Sequence, residues 1–358
     1  MVLSRNHSNS NKGGNRHEAS LSRDRLGQEV SHLFGFDEDG VVVIQGRVET
    51  LDLAAWRRVL KSQPTYSIHA VFEIGAHYDW LYDLLKEHCQ EVSVIDPAQF
   101  AIISRSQRKT DKIDAQKLAE GLRRGDLPLV HVPDKQTRAD RRLVAFTHGH
   151  SQQSTRVKGK IRSLLLAHQL ECPFTNVTGV KAIEWLNKNA VPKLDPQAQM
   201  FLRMLIEQVE LLKKQRKELD QQVADRAASY TQAEIIDSIP GLGSLGILAV
   251  LSCVAGIGRF KRPEQLSSYF GTCGSVRQSG NTLILGHLTR RGNVHVRWLL
   301  SQALQHLHRK DPRARKRYLK LKRKKPRGVA RAAQVRWLTE IIWWMLTKDE
   351  MYRIKKAA

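Results

Sequence analysis

From Val30 to about residue 130, short apolar runs alternate with segments of helical spacing. Phe34-Gly35-Phe36, the acidic turn Asp37-Glu38-Asp39-Gly40 and Val41-Val42-Val43-Ile44 predict a strand, a tight turn and a strand. Leu53 to Leu60 has the spacing of a helix, and Ile68 to Glu73 is a short apolar strand ending in an acid. Tyr78 to His88 is helical again, and Val92 to Pro97 forms another strand. Strands that alternate with helices predict an α/β layer on a parallel or mixed sheet. A helix follows, its buried face marked by Ala115, Leu118, Ala119 and Leu122.

From about Lys135 to Arg226 the strand pattern is lost. Leu202, Leu205, Val209, Leu212, Leu219 and Val223 fall on a and d positions, and Arg216 and Arg226 interrupt the seam. Two structures satisfy this pattern: a coiled-coil contact between two copies, or a long helix in an intramolecular bundle. The last segment opens with Ile239-Pro240-Gly241-Leu242-Gly243. It passes through a basic run from Lys310 to Arg336 and closes with an amphipathic helix around Val335 to Leu346. Residues 1 to about 23 are polar, without periodicity, and are expected to form a flexible basic tail.

Composition narrows the partners. The 358 residues carry 59 Lys and Arg against 35 Asp and Glu, a net charge of +24 that calls for a polyanion. An anionic membrane is the rival to nucleic acid, but no run approaches the ~18 apolar residues of a spanning helix. The longest, Ile341 to Leu346, suits a buried helix turn. No apolar secretory leader follows the N-terminus, which predicts a cytoplasmic protein. Cys89, Cys172, Cys253 and Cys273 are scattered, with no C-x-x-C pair, and are expected to be reduced thiols.

Metal-dependent phosphoryl transfer needs several hard oxygen ligands around a pair of Mg²⁺ ions about 4 Å apart. Glu73 stands where such a ligand belongs, at the C-terminal end of a strand before the small Gly75. Asp111 and Asp114, three apart, lie on one side of a helix's first turn. Capping of that helix explains Asp111 equally well, because an acid complements a helix N-terminus. It explains Asp114 poorly, since that acid borders the apolar face beside Leu118. Among the hydroxyls, Gln278-Ser279-Gly280-Asn281 has the composition of a surface turn, with Arg277, Arg290 and Arg291 close in sequence.

Phe72-Glu73, Asp96-Pro97-Ala98-Gln99 and the run Lys109-Thr110-Asp111-Lys112-Ile113-Asp114-Ala115-Gln116-Lys117-Leu118-Ala119 together resemble the N-terminal domain of IS110-family (IS1111-like) transposases. Leu266-Ser267-Ser268-Tyr269-Phe270-Gly271, Gln278-Ser279-Gly280 and Leu288-Thr289-Arg290-Arg291-Gly292-Asn293 resemble the C-terminal domain of the same family. The resemblance runs from about residue 25 to 354. It implies an α/β RuvC-like (RNase H-like) domain over 24–132 with an Asp-Glu-Asp-Asp set binding Mg²⁺. A helical linker or coiled coil over 133–230 and a mostly α-helical serine transposase domain over 231–358 would follow. On this match Glu73, Asp111 and Asp114 are the second, third and fourth acids, and Ser279 is the nucleophile, with Ser275 the nearest alternative.

The first acid departs from the family pattern. Arg25 occupies its aligned position, so the ligand is Asp24 after a one-residue slip, or Glu29, or it is missing. An arginine there puts a cation where an anion is needed.

Gly241 and Gly243 resemble the hairpin of helix-hairpin-helix modules, whose loop amides hold a phosphate. With Arg277, Arg290, Arg291, Arg297, Lys320 and Arg323 they make up the candidate nucleic-acid contacts. The resemblance further implies DNA (element ends and target), a structured guide RNA and a homo-oligomer, dimer or tetramer, whose carboxylates and serine form a composite site. The competing readings are a nucleic-acid-binding remnant without chemistry and a RuvC-like structure-specific nuclease that hydrolyses with water.

Overall fold

Side chains that alternate between two faces build the first unit. The computed structural model describes residues 17–22, 30–37, 41–62, 68–96, 99, 111–279, 282–288 and 292–354; at 17–22, 37, 111–112, 276–279, 282–285 and 287 it describes the backbone alone. Contacts divide the chain into Met1–Lys135 and Gln136–Ala358.

In the first unit, strands β1 (His17–Ser22), β2 (Val30–Asp37), β3 (Val42–Glu49), β4 (His69–Glu73) and β5 (Glu91–Ile95) form one sheet in the order β3-β2-β1-β4-β5. The β1-β2 and β2-β3 pairs are antiparallel, and β1, β4 and β5 run parallel. Residues 17–22, expected within a flexible tail, instead form the middle strand; the alternation of Ala19 and Leu21 with Glu18, Ser20 and Ser22 is too short and too weakly apolar to mark it.

Helix α1 (Leu53–Lys61) starts where the Asp52 carboxylate accepts from Ala55 N at 2.8 Å. It buries Trp56 and Leu60, one turn apart, and the Trp56 indole N–H donates to Thr50 O. Helix α2 (Tyr78–His88) adds Leu81, Leu84 and Leu85 to the same core, against Ala70, Phe72 and Val94. Helix α3 (Asp111–Arg124) sets Ala115, Leu118 and Ala119 against Phe34, Val71 and Ile95 in a separate core. Since Val71 and Phe72 belong to different cores, the two faces of β4 are covered by different helices.

The second unit is built on α4 (Lys135–Ala167) and α6 (Pro196–Ala228), both 33 residues long and joined through the short α5 (Val180–Trp185). Asp140 meets Arg226, while Ser151 meets Arg216, so the two helices run antiparallel. Leu202, Val209 and Leu212 of the predicted seam are buried with Val157, Ile161 and Leu165 of α4. The seam is therefore used inside one chain. Its two basic interruptions are partnered there: Arg226 by Asp140, and Arg216 by Ser151 and Asp220.

Beyond α7 (Ala233–Asp237), helix α8 (Gly243–Val254) is buried at every position from Gly246 to Val254. Arg141 of α4 caps its C-terminal end through the Ser252 and Cys253 carbonyls at 2.9 and 3.0 Å. Around it stand α9 (Pro263–Tyr269), α10 (Val294–Lys310), α11 (Pro312–Lys324) and α12 (Arg327–Lys348). A two-stranded hairpin, β6 (Gly274–Ser279) with β7 (Thr282–Leu288), lies between α9 and α10 in sequence. The four cysteines are unpaired. Among the described residues no helix is long and apolar enough to cross a membrane.

Candidate functional site

Glu73 and the helix that carries Asp114 lie on the same side of the sheet. Residues two apart on a strand share a face, so Glu73 projects with Val71 and away from Phe72. Val71 is fully buried against Ala115, Leu118 and Ala119, which puts the half-buried Glu73 on the α3 side. Ile74 N donates to Ile95 O at 2.9 Å and holds the end of β4 to β5. Asp114 immediately precedes Ala115 on α3 and is also half-buried. Asp111 opens the helix one turn earlier, described by its backbone alone.

Both described acids offer only hard oxygen donors, the set that Mg²⁺ takes. Among the described residues, no three His, Cys, Asp or Glu side chains stand together as a metal group.

The neighbouring strand contributes no acid at that level. Ala19 lies beside Ala70 and Ser20 beside Val71, so Ser22, two residues on, comes level with Glu73. The acid of β1, Glu18, stands a full four residues earlier. Asp24, Arg25 and Glu29 lie outside the described residues.

Ser279 is the last residue of β6 and pairs with Thr282, the first of β7. Only Gly280 and Asn281, both outside the described residues, separate the two in sequence. Arg277 pairs with Ile284 two steps down the ladder. Ser275 sits at the irregular step between Gly274 and Val276, and its hydroxyl packs so closely on Gly286 that a side chain there would collide with it.

Gly292 follows β7 at φ +90°, where an added Cβ would come within 2.5 Å of Gly271 N. Asn293 then caps α10, accepting from His295 N and Val296 N at 2.9 and 3.0 Å. Arg290 and Arg291 lie outside the described residues. Arg297 is half-buried and donates to Phe270 O at 3.2 Å, and burial lowers its pKa from the ordinary guanidinium value. Part of its hydrogen bonding therefore ties α10 to the end of α9.

A cluster that sequence reasoning missed lies at the start of α10. The rings of His148 and His295 meet edge-on at 5.0 Å, and His148 meets Trp298 at 4.5 Å. Both Nδ1 atoms are buried, with no hydrogen-bond partner among the described residues. Burial first, then the neighbouring ring, lowers the His295 pKa from its usual value. The two histidines are 147 positions apart, so no local pattern joins them.

Gly241 and Gly243 are exposed in the turn between α7 and α8. Gly241 has φ +94°, and a Cβ there would strike the His306 side chain at 2.6 Å. Among the described residues no side chain caps the first turn of α8. On α11, eight of the 13 residues are Lys or Arg, and Lys320 and Arg323 are both exposed.

Comparison with known proteins covers both units. An IS110-type DEDD transposase model matches residues 26–169, starting one position after Arg25. The model of the transposase IS116/IS110/IS902 family matches residues 233–319. The transposase for insertion sequence element IS1111A of Coxiella burnetii is 26% identical over 337 residues, 92% of this chain and 90% of that protein. The putative transposase y4qE of Sinorhizobium fredii is 27% identical over 286 residues, 78% of this chain and 69% of its own length. The probable family 20 transposase of Pseudomonas aeruginosa is 21% identical over 333 residues, 92% of this chain and 97% of that protein. With two family models matched in order along the chain and a relative aligned over 92% of it, the chain carries transposase domains of the IS110/IS116/IS902 type and is similar to an IS1111 transposase.

Proposed function

We propose that the chain cuts and exchanges DNA strands for its insertion sequence, with Ser279 as nucleophile and Glu73, Asp111 and Asp114 as a magnesium-binding carboxylate set. The observation that carries this reading is the shared face of Glu73 and Asp114, brought to one side of the sheet by β4 and α3. The strand order β3-β2-β1-β4-β5, with three parallel members, supports a RuvC-like fold. Bound Mg²⁺ would supply a Lewis acid at the phosphate oxygens.

The serine step is a phosphoryl transfer. The Ser279 hydroxyl oxygen bonds to a backbone phosphorus and gives up its proton. The phosphorus–sugar-oxygen bond breaks, and the sugar oxygen leaves as a hydroxyl after taking a proton. A second strand's hydroxyl then attacks the serine-linked phosphorus and restores the diester. The covalent link conserves the bond for rejoining, which direct hydrolysis would not. Arg277, Arg290 and Arg291 neutralise the phosphate, and the turn amides at Gly241 and Gly243 hold the backbone nearby.

A net charge of +24 and the cations of α11 support two polyanions in one complex, DNA and a structured RNA that selects it by base pairing. The protein acts in this reading as a homo-oligomer.

One observation favours a second reading. The strand beside β4 places Ser22, not an acid, level with Glu73, as in a derivative that kept its nucleic-acid surfaces and lost chemistry.

The deciding experiment incubates the protein with element-end DNA, element RNA and Mg²⁺ and resolves it on a denaturing gel. A protein–DNA adduct that is lost in both Ser279→Ala and Asp111→Ala supports the serine mechanism. Cleavage that survives Ser279→Ala assigns a water-using nuclease instead. Binding without cleavage assigns the remnant.

A further inference from the structure

Helix α6 uses one face inside the chain and leaves another unused. Met200, Phe201, Met204 and Leu211 are 52%, 49%, 60% and 55% exposed, although each is large and apolar. At 100° per residue they lie on one stripe with Gln208 and Gln215. Phe201, Met204 and Gln208 line a shallow groove with Leu205 and with Lys160 of α4. The stripe itself contains no Lys or Arg, although the chain carries +24 and α6 holds six such residues. Lys160 apart, the side chains that line the groove offer no cation to a phosphate, and the exposed Phe201 and Met204 call for an apolar partner.

The two flanks of the stripe differ. On one, Leu205 and Leu212 pack with α4, and Arg216 donates to Ser151 of that helix at 2.8 Å. On the other, Arg203, Glu207, Glu210 and Lys214 are all exposed. That second flank is complementary to itself in one orientation only. When two such helices cross antiparallel about a two-fold axis near residue 206, like flanks face each other. Phe201 then meets the partner's Leu211, Met204 meets the partner's Gln208, and Arg203 falls between the partner's Glu207 and Glu210. A parallel pairing would set the charged flank against the side that α4 already covers.

We propose that this α6 stripe is a two-fold, antiparallel docking surface for a second copy of the chain. The inference deepens the homo-oligomer part of the function proposed above and rests on it; neither the carboxylates nor Ser279 enters it. It also separates the seam recognised in the sequence, which is closed by α4, from the surface that joins copies.

The test is sedimentation equilibrium of the full chain, freed of nucleic acid, over a concentration series. The unchanged protein is expected to approach the mass of at least two copies. Met204→Glu should raise the dissociation constant at least ~10-fold, about 1.4 kcal/mol, with an unchanged helical circular-dichroism signal because the side chain is exposed in the single chain. Arg203→Glu should weaken association, and the triple swap R203E/E207R/E210R should restore it. An oligomer indifferent to Met204→Glu, or a triple swap that fails to restore it, overturns the proposed face and leaves the oligomer reading standing. A chain that stays monomeric at every concentration overturns both.

Discussion

The Asp140 carboxylate receives two parallel hydrogen bonds from Arg226, at 2.8 Å from Nε and 3.0 Å from Nη2, across 86 positions of sequence. Tyr230 OH donates to the same carboxylate at 2.8 Å and Gln136 Nε2 at 3.1 Å. Asp140 is 1% exposed, whereas the Arg226 side chain keeps 32% exposure. The bond joins the start of α4 to the last turns of α6 and closes the open end of the antiparallel pair.

That asymmetry sets the cost of breaking it. Arg226→Met leaves a buried carboxylate with neutral donors but no charge partner and should destabilise the chain by roughly 3–5 kcal/mol. Asp140→Asn leaves an arginine that solvent still reaches, and should cost less, about 1–3 kcal/mol. Urea unfolding of both variants checks the order, and equal losses would contradict it.

The same carboxylate gives a pH step. Burial by itself would raise the Asp140 pKa, but the hydrogen bonds from Arg226, Tyr230 and Gln136 and the Arg226 charge outweigh it, so the net shift is downward. A depressed folded value means the unfolded chain takes up the proton first as pH falls. The contribution is therefore complete above the unfolded value near ~4 and is lost as pH falls through the folded value. Melting temperatures of the unchanged protein should drop across that window, and Asp140→Asn should flatten the drop. A drop of the same size in the variant would assign it to other acids.

The thiols should react in a fixed order. Burial pushes the Cys89 thiol up to about 12 and the Cys253 thiol up to about 11, the latter against the opposing charges of Arg141 and Arg259. Cys273 is half-buried and also raised by burial, and Cys172 is half-buried. Under native conditions a thiol reagent should label Cys172 first, Cys273 more slowly, and Cys89 and Cys253 only on unfolding. Mass-mapped labelling at neutral pH reads the order directly.

Strong local patterns made much of the first unit legible. The acidic turn at 37–40 predicted the β2-β3 hairpin, and Leu53–Leu60, Tyr78–His88 and Ala115–Leu122 each announced a helix that the chain forms. The pattern failed where long-range pairing decides. Strand β1 is polar and is specified by the neighbours it joins, and the β6-β7 ladder is short enough that Gln278-Ser279-Gly280-Asn281 suggested only a turn. The heptads on α6 announced a buried seam without naming its partner, and Arg216 and Arg226 looked like defects until α4 supplied Ser151 and Asp140. Glu73 and Asp114 were legible one at a time. Their shared face was not, because it depends on which side of β4 receives α3.

Helix α11 offers the cleanest test of the nucleic-acid surface. Asp311 caps it through Arg313 N at 2.8 Å, and Ala314 anchors it in the core, leaving Lys320 and Arg323 exposed on a helix with no acid of its own. With no carboxylate on the helix to pair with, these side chains contribute little to folding, so their removal should leave the melting temperature within about a degree or two. If each neutralises one DNA phosphate, each releases about 0.9 of a counterion on binding. The double variant Lys320→Ala/Arg323→Ala should then reduce the slope of log K against log salt by roughly 1.8. Affinity should fall equally for element-end and unrelated DNA, since phosphate contacts carry no sequence information. An unchanged slope would place the DNA elsewhere on the basic surface, and a loss confined to element ends would assign these residues to base contacts.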